Sequence, residues 1–293
     1  METAIKSNKP SISASSLKTY MSVLKSLYFK KHDKKASPDI NIHWFDNQDE
    51  IIELLADKPA SSRKTTYAAL IAITDKNDKY KAALMDDGKA YDKFIKSQTK
   101  TEKQEEAWKS FDEVKHIVEA AHSKVKPLLN SKTPLSLEEY KKVQDFIILA
   151  LTSGVYISPR RSMDWVDMKL KDVNRETDNY IDRGNFVFNK YKTAKYYQQQ
   201  KVSIPKDLKL ILNKFIKLNP HEYLLTTDKG TKMTGVRLNQ KLNKLFDGAI
   251  STSMLRHIYL TEELKNVPAL EKLEQMAHDM AHSVGEALEY VKK

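Results

Sequence analysis

Residues 250–293, ISTSMLRHIYLTEELKNVPALEKLEQMAHDMAHSVGEALEYVKK, are the stretch from which the rest of the chain is best read. They hold Arg256 followed at once by His257, then Ala281-His282-Ser283, then Tyr290. An arginine, a histidine and a late tyrosine in this order point to phosphodiester chemistry with a tyrosine nucleophile. That chemistry also requires a second arginine, a lysine and a DNA-binding body upstream.

The upstream chain has the right bulk properties. Its 293 residues are enough for two domains with cores of their own. Seven glycines are few for this length, which favours a helical architecture over a turn-rich one. The net charge is +11, and it is spread along the chain: residues 1–100 carry 18 basic and 13 acidic side chains, the remainder 32 and 26. A basic surface of this kind favours a polyanionic partner, because phosphate contacts release counterions. The absence of cysteine excludes disulfides, cysteine metal sites and cysteine nucleophiles. There is neither an apolar run of the ~20 residues needed to span a bilayer nor the apolar core of a signal peptide. The expectation is an intracellular protein that is not secreted and has no membrane partner, placed wherever its target DNA lies, in a host nucleus or a viral or bacterial cytoplasm.

Periodicity predicts a bundle of four helices over residues 1–100. Residues 1–15 read as polar and loose. Ser16 caps a helix from Leu17 to Lys31, striped by Tyr20, Leu24, Leu27 and Tyr28. Further helices follow at Asp49–Ala56, from Ser61 or Ser62, and at Asp78–Ser97. Lys18, Lys25, Arg63 and Lys64 are candidates for phosphate contacts or ordinary solvated cations. The polar run SQTKTEKQEE, residues 97–106, reads as a linker, separating an N-terminal helical DNA-binding domain (1–100) from a second domain (105–293).

The second domain opens with two capping boxes, Ser110–Glu113 and Ser136–Glu139. The second box starts a strongly apolar helix that ends at Gly154. Next comes Val155-Tyr-Ile-Ser-Pro-Arg-Arg-Ser-Met-Asp-Trp165, where two arginines lie between apolar segments and so need partners. Phe186–Phe188 and Val202–Ile204 read as short strands around the lysine-bearing turn Tyr191-Lys-Thr-Ala-Lys195. Helices return with stripes at Leu208–Phe215 and Leu238–Phe246. Ser251 or Ser253 caps the helix of Arg256, and Pro268 starts another. The fold class expected is mainly α with a small antiparallel β-sheet. His257 and the three tryptophans, Trp44, Trp108 and Trp165, read as core residues. His278 and His282 stand four apart on a helix, with no third metal ligand evident.

Over residues 110–293 the chain resembles the tyrosine recombinase (integrase) family, in the form seen in mobile elements and large DNA viruses. Arg161, with Asp164 three residues on, is similar to the family's first arginine motif, and Arg160 is its neighbour. Asp172-Val173 falls at an acidic-aliphatic pair. Lys192 matches the hairpin lysine, with Lys195 as the alternative. Leu255-Arg256-His257 matches the second arginine box, Ala281-His282-Ser283 the Gly-His-Ser motif, and Tyr290 the nucleophile. Two departures stand out. Ser253 occupies the place of the histidine in His-x-x-Arg, and Pro159 precedes the arginine pair.

The resemblance implies a recombinase that cleaves and rejoins DNA through a 3′-phosphotyrosine, without metal, ATP or any other cofactor. Arg161 and Arg256 would clamp the non-bridging oxygens, and His282 would bond to one of them. Lys192 would protonate the 5′-oxygen that leaves, and Tyr290 would hold the DNA. The implied partner is double-stranded DNA gripped between the two domains, by a homotetramer on two duplexes that is a monomer or dimer when free. A type IB topoisomerase shares the catalytic set, and a DNA-binding module with a decayed site fits the loss of histidine at Ser253. Only Val291-Lys-Lys293 follows Tyr290, which leaves open whether that helix is exchanged between protomers.

Overall fold

The computed structural model describes residues 1–32, 39–74, 77–279 and 284–285. The chain divides into two compact units: Met1–Thr99 with Pro268–Lys293, and Lys100–Val267. No helix among the described residues is long and apolar enough to cross a membrane.

The first unit departs from expectation at its start. Residues 2–8 form helix α1 (Glu2–Asn8), because Ile5 gives this polar segment one side chain to bury. Ser13, not Ser16, caps α2 (Ala14–Lys31) by accepting the Ser16 N–H, and Leu24, Leu27 and Tyr28 face inward as the stripe predicts. A 3-10 turn, Ile42–Asp46, buries Trp44 and Phe45. Helices α3 (Gln48–Leu55), α4 (Ala60–Ile73) and α5 (Asp78–Lys96) complete the bundle. Buried Tyr80 on α5 donates its hydroxyl to the Phe45 carbonyl at 2.8 Å, tying α5 to the turn. Arg63 is committed to the fold. It pairs with buried Asp87 and donates to the carbonyls of Ala56 and Lys58, at 3.1 and 2.9 Å, beyond the end of α3. Lys18 and Lys25 remain exposed on α2.

The second unit begins inside the stretch read as a linker. Thr101 and Gln104 form a third capping box, which starts α6 (Glu102–Ala107). The two predicted boxes start α7 (Phe111–Leu129) and α8 (Leu137–Thr152). Helix α7 continues past Lys124 with Pro127 in its last turn, where the ring forgoes the N–H bond back to the preceding turn. Helix α8 is buried on nearly every side, with Val143, Ile147, Ile148 and Leu151 in the centre of the core. A short helix, α9 (Ser162–Val166), leads into a four-stranded sheet ordered β1 (Met168–Lys169), β2 (Asn179–Asp182), β3 (Asn185–Phe188) and β4 (Gln200–Ser203). The sheet is mixed. β2, β3 and β4 are antiparallel, whereas β1 pairs parallel with β2. A two-residue strand has no alternation to read, so β1 was invisible in the sequence. Arg183 and Gly184, both with positive φ, close the β2–β3 hairpin tightly.

Between β3 and β4 the chain carries the one-turn helix α10 (Ala194–Tyr197). Helices α11 (Lys206–Leu218), α12 (Gly235–Leu245) and α13 (Thr252–Glu263) then wrap the core through Leu208, Phe215, Leu238, Leu242, Leu255 and Ile258. The final described helix, α14 (Leu270–Asp279), belongs to the first unit, where Glu274 pairs with Lys96 at 3.0 Å and the Leu270 N–H reaches Gln98.

Candidate functional site

The site in the second unit is built where α9, α13 and the β3–β4 connection meet a buried carboxylate. Asp164 lies on α9 with only 2% of its surface exposed. Arg160 donates its Nε–H to Asp164 Oδ2 at 2.8 Å and an Nη2–H to Gln200 Oε1 at 3.0 Å. Its guanidinium lies 4.0 Å from the centre of the Phe188 ring, a cation–π contact. The arginine beside the family-matched one is therefore a strut that joins α9 to strands β3 and β4.

Arg161 occupies the N-cap position of α9 in an extended conformation, with φ −68° and ψ 151°. Burial raises the pKa of Asp164, and the guanidiniums of Arg160, Arg161 and Arg256 pull against that rise. Three cations, from positions up to 96 residues apart in the sequence, thus act on one carboxylate. Arg161 and Arg256 form no ion pair of their own among the described residues.

The position of Arg256 follows from the packing of α13. Ser251 caps that helix by accepting the Met254 N–H, and the Asn239 side chain on α12 accepts the Thr252 N–H at 3.0 Å. One turn beyond Arg256, Tyr259 lies against Gly154. A Cβ at Gly154 would come within 2.6 Å of that ring, and its φ of +91° suits glycine alone. The Tyr259 hydroxyl also meets Ser158 Oγ at 3.1 Å, just before the arginine pair. Glycine 154 is thus what lets α13 close onto the segment bearing Arg160 and Arg161.

The lysine-bearing connection is anchored at its base. Asn179, fully buried on β2, donates to the carbonyls of Asp164 and Lys190, and its Oδ1 accepts the N–H groups of Asn189 and Lys190. Tyr191 closes the other side by donating its hydroxyl to the Gln198 carbonyl at 2.6 Å. Lys192 and Lys195 project from this clasp and are exposed. Neither forms an ion pair among the described residues.

Ser253 is exposed on the first turn of α13, one turn before Arg256. His257 is exposed, contrary to the expectation of a core residue, because its place on α13 falls between the inward-facing Leu255 and Ile258. Trp44 and Trp165 are buried as expected, while Trp108 is half-buried with Lys100 over its ring at 4.3 Å. His282 and Tyr290 lie outside the described residues. Asn179, Gln200 and the structural role of Arg160 escaped sequence reasoning. The place of the arginine pair between apolar segments was the sequence signal that a guanidinium here needs a partner.

A solved structure shares this arrangement of elements. A crystal structure of a lambda integrase (75–356) dimer bound to a COC′ core site superposes with a TM-score of 0.50 at 17% identity, covering 92% of this chain and 88% of that one. The fold is that of lambda integrase. A second lambda integrase dimer bound to a COC′ core site aligns at 16% identity and a TM-score of 0.46, over 88% of this chain and 67% of that one. No family model and no curated protein sequence matches the chain.

Proposed function

We propose that the protein is a site-specific DNA recombinase that cleaves and rejoins strands through a 3′-phosphotyrosine at Tyr290. The observation that carries this reading is buried Asp164, bonded by Arg160, whose charge is also felt by Arg161 and Arg256, two guanidiniums that form no ion pair among the described residues. Further support comes from the basic charge of +11 and from the likeness in fold to a lambda integrase solved as a dimer on a core site.

In this mechanism the phenol of Tyr290 gives its proton to water, its oxygen attacks phosphorus, and the bond to the 5′-oxygen breaks. Negative charge builds on the non-bridging oxygens, where Arg161 and Arg256 offer bidentate hydrogen bonds. Asp164 and Arg160 hold the segment of Arg161 in place. Lys192 gives the departing 5′-oxygen its proton, and His282 bonds to a non-bridging oxygen. The phosphotyrosine keeps the energy of the broken bond, so a 5′-hydroxyl can reverse the step without a nucleotide cofactor. Two duplexes exchange strands within a homotetramer.

Two duplexes with different end labels test the recombinase reading. They carry a sequence that the protein itself selects from a random DNA pool. Products bearing both labels are the expected outcome. Relaxation of supercoiled DNA without exchanged products would assign the chain instead to topoisomerase-like chemistry.

A further inference from the structure

Two large aromatic rings in the second unit have no role in its core. Tyr196 is 80% exposed and Tyr197 is 67% exposed, and both stand on α10 at the tip of the β3–β4 connection. Exposed cations flank them in sequence, Lys192 and Lys195 on one side and Lys201 on the other. The tip is nonetheless tied down by hydrogen bonds. Gln198, which ends α10, adopts φ +54° and ψ −151°, a conformation costly for any residue but glycine. It is held there by its own N–H to Ala194 O at 2.8 Å and by the Tyr191 hydroxyl on its carbonyl. Gln199 adds a bond to Asn189 at 2.9 Å. Buried Tyr191 and the bonds of the turn itself thus hold a strained conformation that presents two aromatic rings to solvent.

We propose that Tyr196 and Tyr197 form a stacking finger that takes unstacked DNA bases beside the cleaved phosphate, with Lys192 and Lys195 on the backbone. The inference rests on the DNA reading above and adds to it a pair of positioning residues. The ligand follows from chemistry. Every base offers a π-face to a tyrosine ring, and neighbouring lysines neutralise the phosphates that come with it. The charged surroundings disfavour a purely apolar partner. The same buried network that holds this finger, Asn179 and the Arg160–Gln200 bond, also fixes the segment of Arg161. A base engaged by the finger is thereby registered against the arginines.

The test compares a mixed-sequence duplex with the same duplex carrying a four-nucleotide gap, with 2-aminopurine placed in the gap. The full-length wild type should bind the gapped form more tightly and quench the probe. Tyr196→Ala/Tyr197→Ala should weaken binding to the gapped form about fivefold or more, since stacking contributes roughly that factor per base at the least. It should also abolish quenching and leave the salt dependence unchanged. Tyr196→Phe/Tyr197→Phe should restore both affinity and quenching. Both rings are exposed, so the variants should fold, which circular dichroism checks. If the double alanine variant binds the gapped duplex and quenches as the wild type does, the finger is overturned while DNA binding stands. If the wild type binds neither duplex even at low salt, the DNA reading fails and the finger with it.

Discussion

Arg160 Nε and Asp164 Oδ2 lie 2.8 Å apart, and this bond, not one from the adjacent Arg161, holds the carboxylate of α9. Two neighbouring arginines therefore have separable roles. Arg160 should matter to stability. Its removal leaves a buried carboxylate without its direct partner, so Arg160→Ala should cost roughly 2–3 kcal/mol, somewhat below a fully buried pair because the guanidinium is partly exposed. Arg161→Ala should cost under about 1 kcal/mol, yet slow cleavage roughly a hundredfold or more by removing transition-state hydrogen bonds. Urea unfolding and single-turnover cleavage on the two variants separate these effects.

Gly154 and Tyr259 form a second coupled pair. Gly154→Ala should destabilise by about 2 kcal/mol or more, because the backbone is left-handed and the new Cβ strikes the Tyr259 ring. In a Tyr259→Ala background the same change should cost only about 1 kcal/mol, the backbone share alone. A double-mutant cycle measured by thermal unfolding reads the difference.

His122 lines a cavity of about 300 Å³ with Tyr156, Asp207 and Lys214, and its ring stacks on Phe146. Burial lowers its pKa, with Lys126 and Lys214 adding to the effect. The folded state thus binds this proton less readily than the unfolded chain. The neutral-imidazole contribution is complete above the ordinary histidine pKa of about 6.5 and is lost as pH falls below it. Denaturation midpoints from pH 8 to 5 should fall along this limb, and His122→Phe should flatten it.

Ser253 stands exposed where the resembled family keeps a histidine. A histidine fits there without burial, so Ser253→His should change stability by under about 0.5 kcal/mol. With a proton-handling group one turn from Arg256, the variant should cleave faster near neutral pH and show a new limb in its pH–rate profile. A slower variant with an unchanged profile would contradict a proton-transfer role for this position.

Most of the helical architecture was legible because it is written in local signals. The boxes at Ser110 and Ser136 and the stripes on α2 and α8 appear where the periodicity places them. What escaped notice depends on tertiary partners. One isoleucine seats α1, β1 is too short to show a pattern, and Arg63 looks like any surface cation until Asp87 is seen beneath it. At the site, motif order named Arg161, Lys192 and Arg256. The division of labour between Arg160 and Arg161 depends on a carboxylate, a glutamine and a phenylalanine ring on three separate elements, which no local pattern encodes.

The proposed chemistry is covalent catalysis by Tyr290 with Arg161 and Arg256 as the phosphate clamp. Its most direct test is incubation of the wild type and Tyr290→Phe, with EDTA present, on a nicked suicide duplex of the sequence the protein selects. A DNA–protein adduct is expected with the wild type, with the 3′-phosphate attached at Tyr290, and none with the phenylalanine variant. An adduct that persists in Tyr290→Phe, or cleavage that appears only when magnesium replaces EDTA, would contradict it.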